Sequence, residues 1–310
     1  MIRSIYRIRD LTIMQIDIFS EKFLAAPLTR LFGFCLALWH LVWIDSYFGQ
    51  ILFDDESVVP FLILMIVPAS FVFKLRWSVV SVVRRACVPI GIIVCNLNLV
   101  FIFSDMKPFD EVLFATRLLY APLALGILMS FLLAILEPLE IYKYRPGVRD
   151  IIFVFLTEII TLILAIYYLV NATGAPVTID YFIDTPAAQT GVVIIGICFI
   201  NNKMTALNPI VKLYKASAAM ILVSAILGVA AYAYTVSTDL SSIGRVAAGV
   251  SIGIFYGALL GLFAIIAGGT AYNSDQESML YDWHTIEAYA FYTLIVMPPI
   301  SLLESGLYGS

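Results

Sequence analysis

GRVAAGVSIGIFYGALLGLFAIIAGGT, residues 244–270, is the stretch that decides the fold. After Arg245 it runs about 25 residues without a charge, enough for one helix to cross a bilayer. Arg245, Gly249, Gly253, Gly257 and Gly261 recur at every fourth position. On a helix this spacing places all five on one slowly drifting face. Glycine is a weak helix former. Four on one face are therefore expected to be offset by a close helix contact, since no side chain keeps a neighbouring backbone away. An arginine heading such a face either snorkels to the surface or serves as an intramembrane cation facing a partner or water.

The rest of the chain has the same character. Of 310 residues 62% are apolar and 13% charged, against about 45–50% and about 25% in soluble domains. The sequence predicts an all-α, polytopic membrane helix bundle. Net charge is −4, which implies no nucleic-acid partner. Cys35, Cys87, Cys95 and Cys198 lie inside apolar runs at spacings that match no metal or redox motif. Only two histidines, His40 and His284, are present, too few for the several paired-histidine haems of a cytochrome b-like protein or for a histidine-rich copper or iron centre. No cofactor or metal is expected. No nucleophile elbow, P-loop, HExxH or CxxC motif occurs, so no independent catalytic chemistry is expected.

Two regions follow from the patterning. Residues 1–30 form an N-terminal segment. Arg3, Arg7 and Arg9 give it a basic start that reads as a tail on the cytoplasmic or matrix side rather than a secretory signal. Residues 12–30 read as an interfacial amphipathic helix that Pro27 ends. Residues 31–310 form a single transmembrane domain. Its apolar runs, roughly 31–53, 57–74, 78–104, 112–139, 151–171, 187–201, 216–237, 246–270 and 286–303, predict eight or nine spans. The 187–201 run is short enough to be re-entrant or tilted.

Charges alternate between connections. Lys74, Arg76, Lys143, Arg145, Arg149, Lys203, Lys212 and Lys215 fall on the side of the basic tail. Asp54, Asp55, Glu56, Asp105, Asp110, Glu111, Asp180 and Asp184 fall opposite. By the positive-inside rule the N-terminus faces the cytoplasm or matrix, in a bacterial or mitochondrial inner membrane. The acidic connection 271–285 departs from the alternation.

Polar residues inside the runs are the candidate functional groups. Glu158 lies seven or eight residues into the 151–171 run among Phe153, Phe155, Ile159 and Ile160. A carboxyl there must be protonated, paired or hydrated. Its bland alternative is a neutral group bonded to a neighbouring helix. His284 and Glu287 share a helical face at the start of the last run, where an acid is also simply favourable to the helix dipole. Arg84 and Arg85 read as preceding the third span, which would start near Ala86. His40 and Asp45, beside Trp39 and Trp43, read as headgroup-level residues.

Two segments resemble a known family. Arg245 to Gly253 resembles the arginine helix of the a subunit of F-type ATP synthases, and Glu287-Ala288-Tyr289-Ala290-Phe291 resembles that subunit's last helix, in the same order and at a similar separation. Gly249 stands where that family usually has Asn, and Glu287 where it usually has Gln. The resemblance implies Arg245 as a cation facing a rotor ring, and His284 and Glu287 as groups lining a proton half-channel.

The expected function is thus a membrane subunit of a larger complex that translocates ions or protons. Its pathway would comprise Arg245, Glu287, His284 and Glu158, and its helix-packing face Gly249, Gly253, Gly257 and Gly261. The expected partners are the lipid bilayer and other membrane subunits. The alternatives are a structural or assembly component of a respiratory or secretion machine, and a small-molecule transporter. The transporter requires a broken helix, for which Pro68, Pro89, Pro122 and Pro209 are the candidates.

Overall fold

A computed structural model describes residues 27–48, 55–72, 80–104, 109–136, 147–174, 179–201, 209–238 and 243–268. Among them there is no strand. Eight α-helices follow in order: α1 (Pro27–Phe48), α2 (Asp55–Val72), α3 (Val80–Ser104), α4 (Phe109–Leu136), α5 (Val148–Thr173), α6 (Thr185–Ile200), α7 (Pro209–Thr238) and α8 (Ile243–Gly268). A short 3-10 turn, Ile179–Phe182, precedes α6. Four helices are long and apolar enough to cross a membrane, over Val80–Phe101, Val148–Thr173, Pro209–Gly228 and Gly249–Ala267. The helices coincide with the first eight apolar runs. The ninth run lies outside the described residues, as do the acidic connection 271–285 and the 12–26 part of the amphipathic segment.

Three boundaries differ from the sequence reading. Pro27 opens α1 rather than ending a helix. This suits proline, whose missing N–H is unneeded in a first turn. α3 begins at Val80, so Arg84 and Arg85 lie within it, half-buried. α7 begins at Pro209, seven residues earlier than the apolar run, and takes in Lys212 and Lys215. Arginine and lysine are good helix formers, and their stems pack against apolar neighbours. Lys212 is only 8% exposed, its Nζ 5.2 Å from the centre of the Phe199 ring at the end of α6, where the ring face attracts the cation.

The bundle is built around α3 and α8, which pack on each other. α4 and α2 flank α3, and α7 and α6 flank α8. From Ala86 to Val100 every residue of α3 is buried. α5 lies outside, packed mainly on α2 with an edge on α8, and α1 rests on α4. On α5 the buried residues are Val154, Glu158, Thr161, Ala165 and Leu169, a single stripe at helical spacing. Ile152, Phe155, Leu156, Ile160, Ile163 and Tyr167 on its other faces are exposed. Polar backbone at the start of α5 is met by Asp150, whose Oδ2 accepts the Gly147 N–H at 3.0 Å. At its end Gly174, at φ 68°, turns the chain in the left-handed region that glycine adopts without strain.

Candidate functional site

Glu158 sits ten residues after the start of α5 and fifteen before its end. It is 6% exposed. Its Oε1 is buried without a hydrogen-bond partner. The nearest hydroxyl along the stripe does not help, because Thr161 Oγ1 is turned back onto its own helix. It donates to the backbone carbonyls of Thr157 at 2.9 Å and of Glu158 at 3.1 Å. Such back-bonding satisfies the threonine locally and leaves the carboxyl to its apolar surroundings.

α3 carries a second orphan oxygen. Asn96 is fully buried. Its Nδ2 donates to the carbonyl of Ile92 at 2.7 Å, while its Oδ1 has no partner. A buried acceptor left unpaired costs roughly 1–3 kcal/mol, so it marks a place where water or a proton-bearing group is favoured. The signal was present in the sequence: Asn96 and Asn98 are two amides within the apolar run 78–104.

The heights of these groups follow from ring contacts. Phe155 on α5 meets Phe263 on α8 edge-on, centroids 6.2 Å apart. Phe182 packs between Phe101 of α3 and Phe255 of α8, at 6.4 and 6.0 Å. The nine residues from Thr173 to Phe182 can reach Phe255 only if α5 runs antiparallel to α8, since an extended residue spans at most about 3.6 Å. Glu158 therefore lies level with the α8 turn near Leu260. Arg245, the third residue of α8, is about 20 Å away along the axis at 1.5 Å per residue. Glu158 and Arg245 thus occupy different levels of the bundle. The side chain of Arg245, and the whole of His284 and Glu287, lie outside the described residues. His40 is exposed on α1, its ring stacked on Trp43 at 5.9 Å.

The glycine face of α8 is turned to elements of the same chain. A Cβ at Gly253 would collide with the Ser224 side chain of α7. One at Gly257 would lie 2.7 Å from Ile221 Cγ1 and 3.1 Å from the Ser217 carbonyl, and one at Gly261 2.9 Å from Ser217 Oγ. At Gly249 the neighbour is Asp184 Oδ2, 3.3 Å away. A second close approach escaped the sequence reading. At Gly91 of α3 a Cβ would lie 2.6 Å from the Pro122 carbonyl, and at Gly126 of α4 2.5 Å from the Cys87 carbonyl. Two isolated glycines carry no period, so no pattern announced them.

The break in the helical pattern also falls elsewhere than at the prolines. Pro68, Pro89 and Pro122 lie inside continuous helices, and Pro209 opens α7. The interruption is instead at Ile179–Asp184. Ala187, in the first turn of α6, lies beside Gly253, about 15 Å along α8 from its start. At 16 residues α6 is the shortest of the eight helices described, and its start lies level with Gly249 to Gly253 of α8. Tyr256 secures this junction. Its hydroxyl donates to the Phe182 carbonyl at 2.6 Å and accepts the Asp184 N–H at 3.2 Å.

Together these features give a helix bundle, all-helical among the described residues, with four helices suited to a membrane and a buried carboxyl midway along an outer helix. Comparison with known protein families, with curated proteins and with solved structures gives no match.

Proposed function

We propose that this chain is an integral membrane protein whose apolar helices span an inner membrane, eight in all with α6 re-entrant, with the N-terminus on the cytoplasmic or matrix side, and that it conducts ions through its bundle. The observation that carries the reading is Glu158. A carboxyl with no hydrogen bond to its Oε1, buried on the one inward stripe of a helix that is apolar on every other side, destabilises the fold. Such a group at membrane depth is a functional residue by default. Exposed apolar faces on α1, α5 and α6 suit acyl chains or the helices of partner subunits. The assembly reading draws no support from the glycine face, because α7 already fills it.

In this proposal Glu158 binds the ion partway across, and Arg245, about 20 Å away along α8, serves a different stage of the path or a partner subunit. The test is dissipation of an imposed membrane potential in vesicles holding the purified chain. The wild type discharges the potential and Glu158→Gln does not, although it inserts and unfolds at the same temperature. Equal discharge by both proteins would sink the reading. A cysteine replacing Arg145 should be labelled from the N-terminal side alone.

A further inference from the structure

We infer that the ion carried by Glu158 is a proton and not a metal cation; the inference rests on the conduction reading above. The argument is a count of donor atoms. A metal cation that leaves water must exchange its hydration shell for protein oxygens, as in filters lined by rings of carbonyls, and a hard cation such as calcium takes about six to eight of them. The surroundings of Glu158 cannot supply such a set. Among the described residues its own carboxyl offers two oxygens, and the amides Asn96 and Asn98 of α3 add at most one each.

Among the described residues, oxygens of α5 and of the interrupted segment are already engaged. The Thr161 hydroxyl points to two backbone carbonyls of its own helix. α5 is continuous from Val148 to Thr173, so its carbonyls near Glu158 are committed to helical hydrogen bonds. At the interrupted segment, where unwound carbonyls might bind a cation, the Phe182 carbonyl is taken by Tyr256 and that of Asp184 by the Ala188 N–H. Among the described residues no group of three or more His, Cys, Asp or Glu side chains is placed to hold a metal.

Among the described residues, the elements packed against α5 bring no second charge to this level; the acids of α2, Asp55 and Glu56, are its first two residues. α2 buries Phe61, Leu64 and Val67, α8 is apolar from Ile254 to Ala267 apart from Tyr256, and α3 offers the amides Asn96 and Asn98. The basic residues of α3, Arg84 and Arg85, lie about 17 Å along the helix from Asn96. A proton needs only one oxygen, and binding it removes the charge altogether. The site therefore fits the one cation that requires no coordination shell.

Two measurements on the full-length chain in lipid vesicles test this. In the first, an internal pH dye and radioactive sodium are followed in parallel under the same imposed potential. Proton entry that falls to the rate of protein-free vesicles in Glu158→Gln, with sodium uptake at that rate throughout, is the expected result. Sodium uptake that depends on Glu158, without proton entry, overturns the proton assignment and leaves ion conduction standing. Neither ion moving, or both moving equally in Glu158→Gln, overturns the conduction reading as well. In the second, a hydrophobic carbodiimide, which attacks protonated carboxyls, is used with peptide mass mapping. Labelling of Glu158 that declines as pH rises and is unaffected by saturating sodium is expected. Protection by sodium at constant pH would overturn the assignment, and this readout is independent of flux.

Discussion

The contact of α8 with α7 and that of α3 with α4 both depend on glycine, yet they are built differently. On α8 the glycines repeat every fourth residue, and what they meet on α7 is largely side chain: Ser224, Ile221 and Ser217 Oγ, with two backbone atoms, the Ser217 carbonyl oxygen and the Ile221 nitrogen, both at Gly257. Between α3 and α4 two glycines face each other, and what they meet is backbone: the carbonyls of Pro122 and Cys87 and the Cα atoms of Leu123 and Gly91. A side chain can rotate away from an added methyl group, whereas a helix backbone moves only by shifting the whole helix. The second interface is thus the tighter one, although the first is the more visible in the sequence.

The largest effect in this comparison belongs to Gly126→Ala. Its Cβ would lie 2.5 Å from the Cys87 carbonyl and 3.4 Å from Gly91 Cα. Overpacking of a core costs typically about 1–3 kcal/mol and occasionally more. We expect about 3 kcal/mol here, read as a lower unfolding temperature in detergent. A loss smaller than that of Gly257→Ala would reverse the ranking of the two interfaces.

Gly257→Ala comes next, at about 1–2 kcal/mol, because Ile221 can turn but the Ser217 carbonyl cannot. At Gly253 the obstruction is the Ser224 side chain alone on α7. Gly253→Ala should cost about 1 kcal/mol, and Ser224→Gly in the same chain should recover most of it, a coupling that a double-mutant cycle measures directly. Gly253→Leu has no such remedy and should lower the yield of folded protein.

Gly196→Ala on α6 sharpens the comparison from the other end. No atom lies within 4 Å of the position its Cβ would take. Stability should stay the same or rise by up to about 1 kcal/mol through helix propensity. A loss would mean that this face of α6 is occupied.

The sequence revealed these two interfaces to unequal degrees, and the reason is periodicity. The helices themselves were legible, since eight apolar runs coincide with α1 to α8. So was Glu158 as an isolated carboxyl, and its burial follows from its place on the same stripe as Val154, Thr161, Ala165 and Leu169. Gly91 and Gly126 were not legible, because their proximity depends on how α3 crosses α4. Nor was the role of Tyr256, whose two partners lie 72 and 74 residues earlier. The α7 start was not legible either, because the charge of Lys212 suggests a loop where its ammonium in fact lies over the Phe199 ring.

The hydroxyl of Tyr256 has a consequence for the order of synthesis. The Phe182 carbonyl and the Asp184 N–H leave the ribosome more than seventy residues before the group that binds them. During that interval α6, at 16 residues, is too short to span a bilayer as a helix, which takes about 20, and its leading segment has unpaired backbone that hydrocarbon does not tolerate. In the membrane reading proposed above, residues 179–200 would therefore wait at the lipid surface or within the insertion machinery until α8 has emerged. Only then can the Phe182 carbonyl and the Asp184 N–H meet the tyrosine hydroxyl. A chain terminated before residue 256 should leave this segment open to protease, and one extended past Gly268 should protect it.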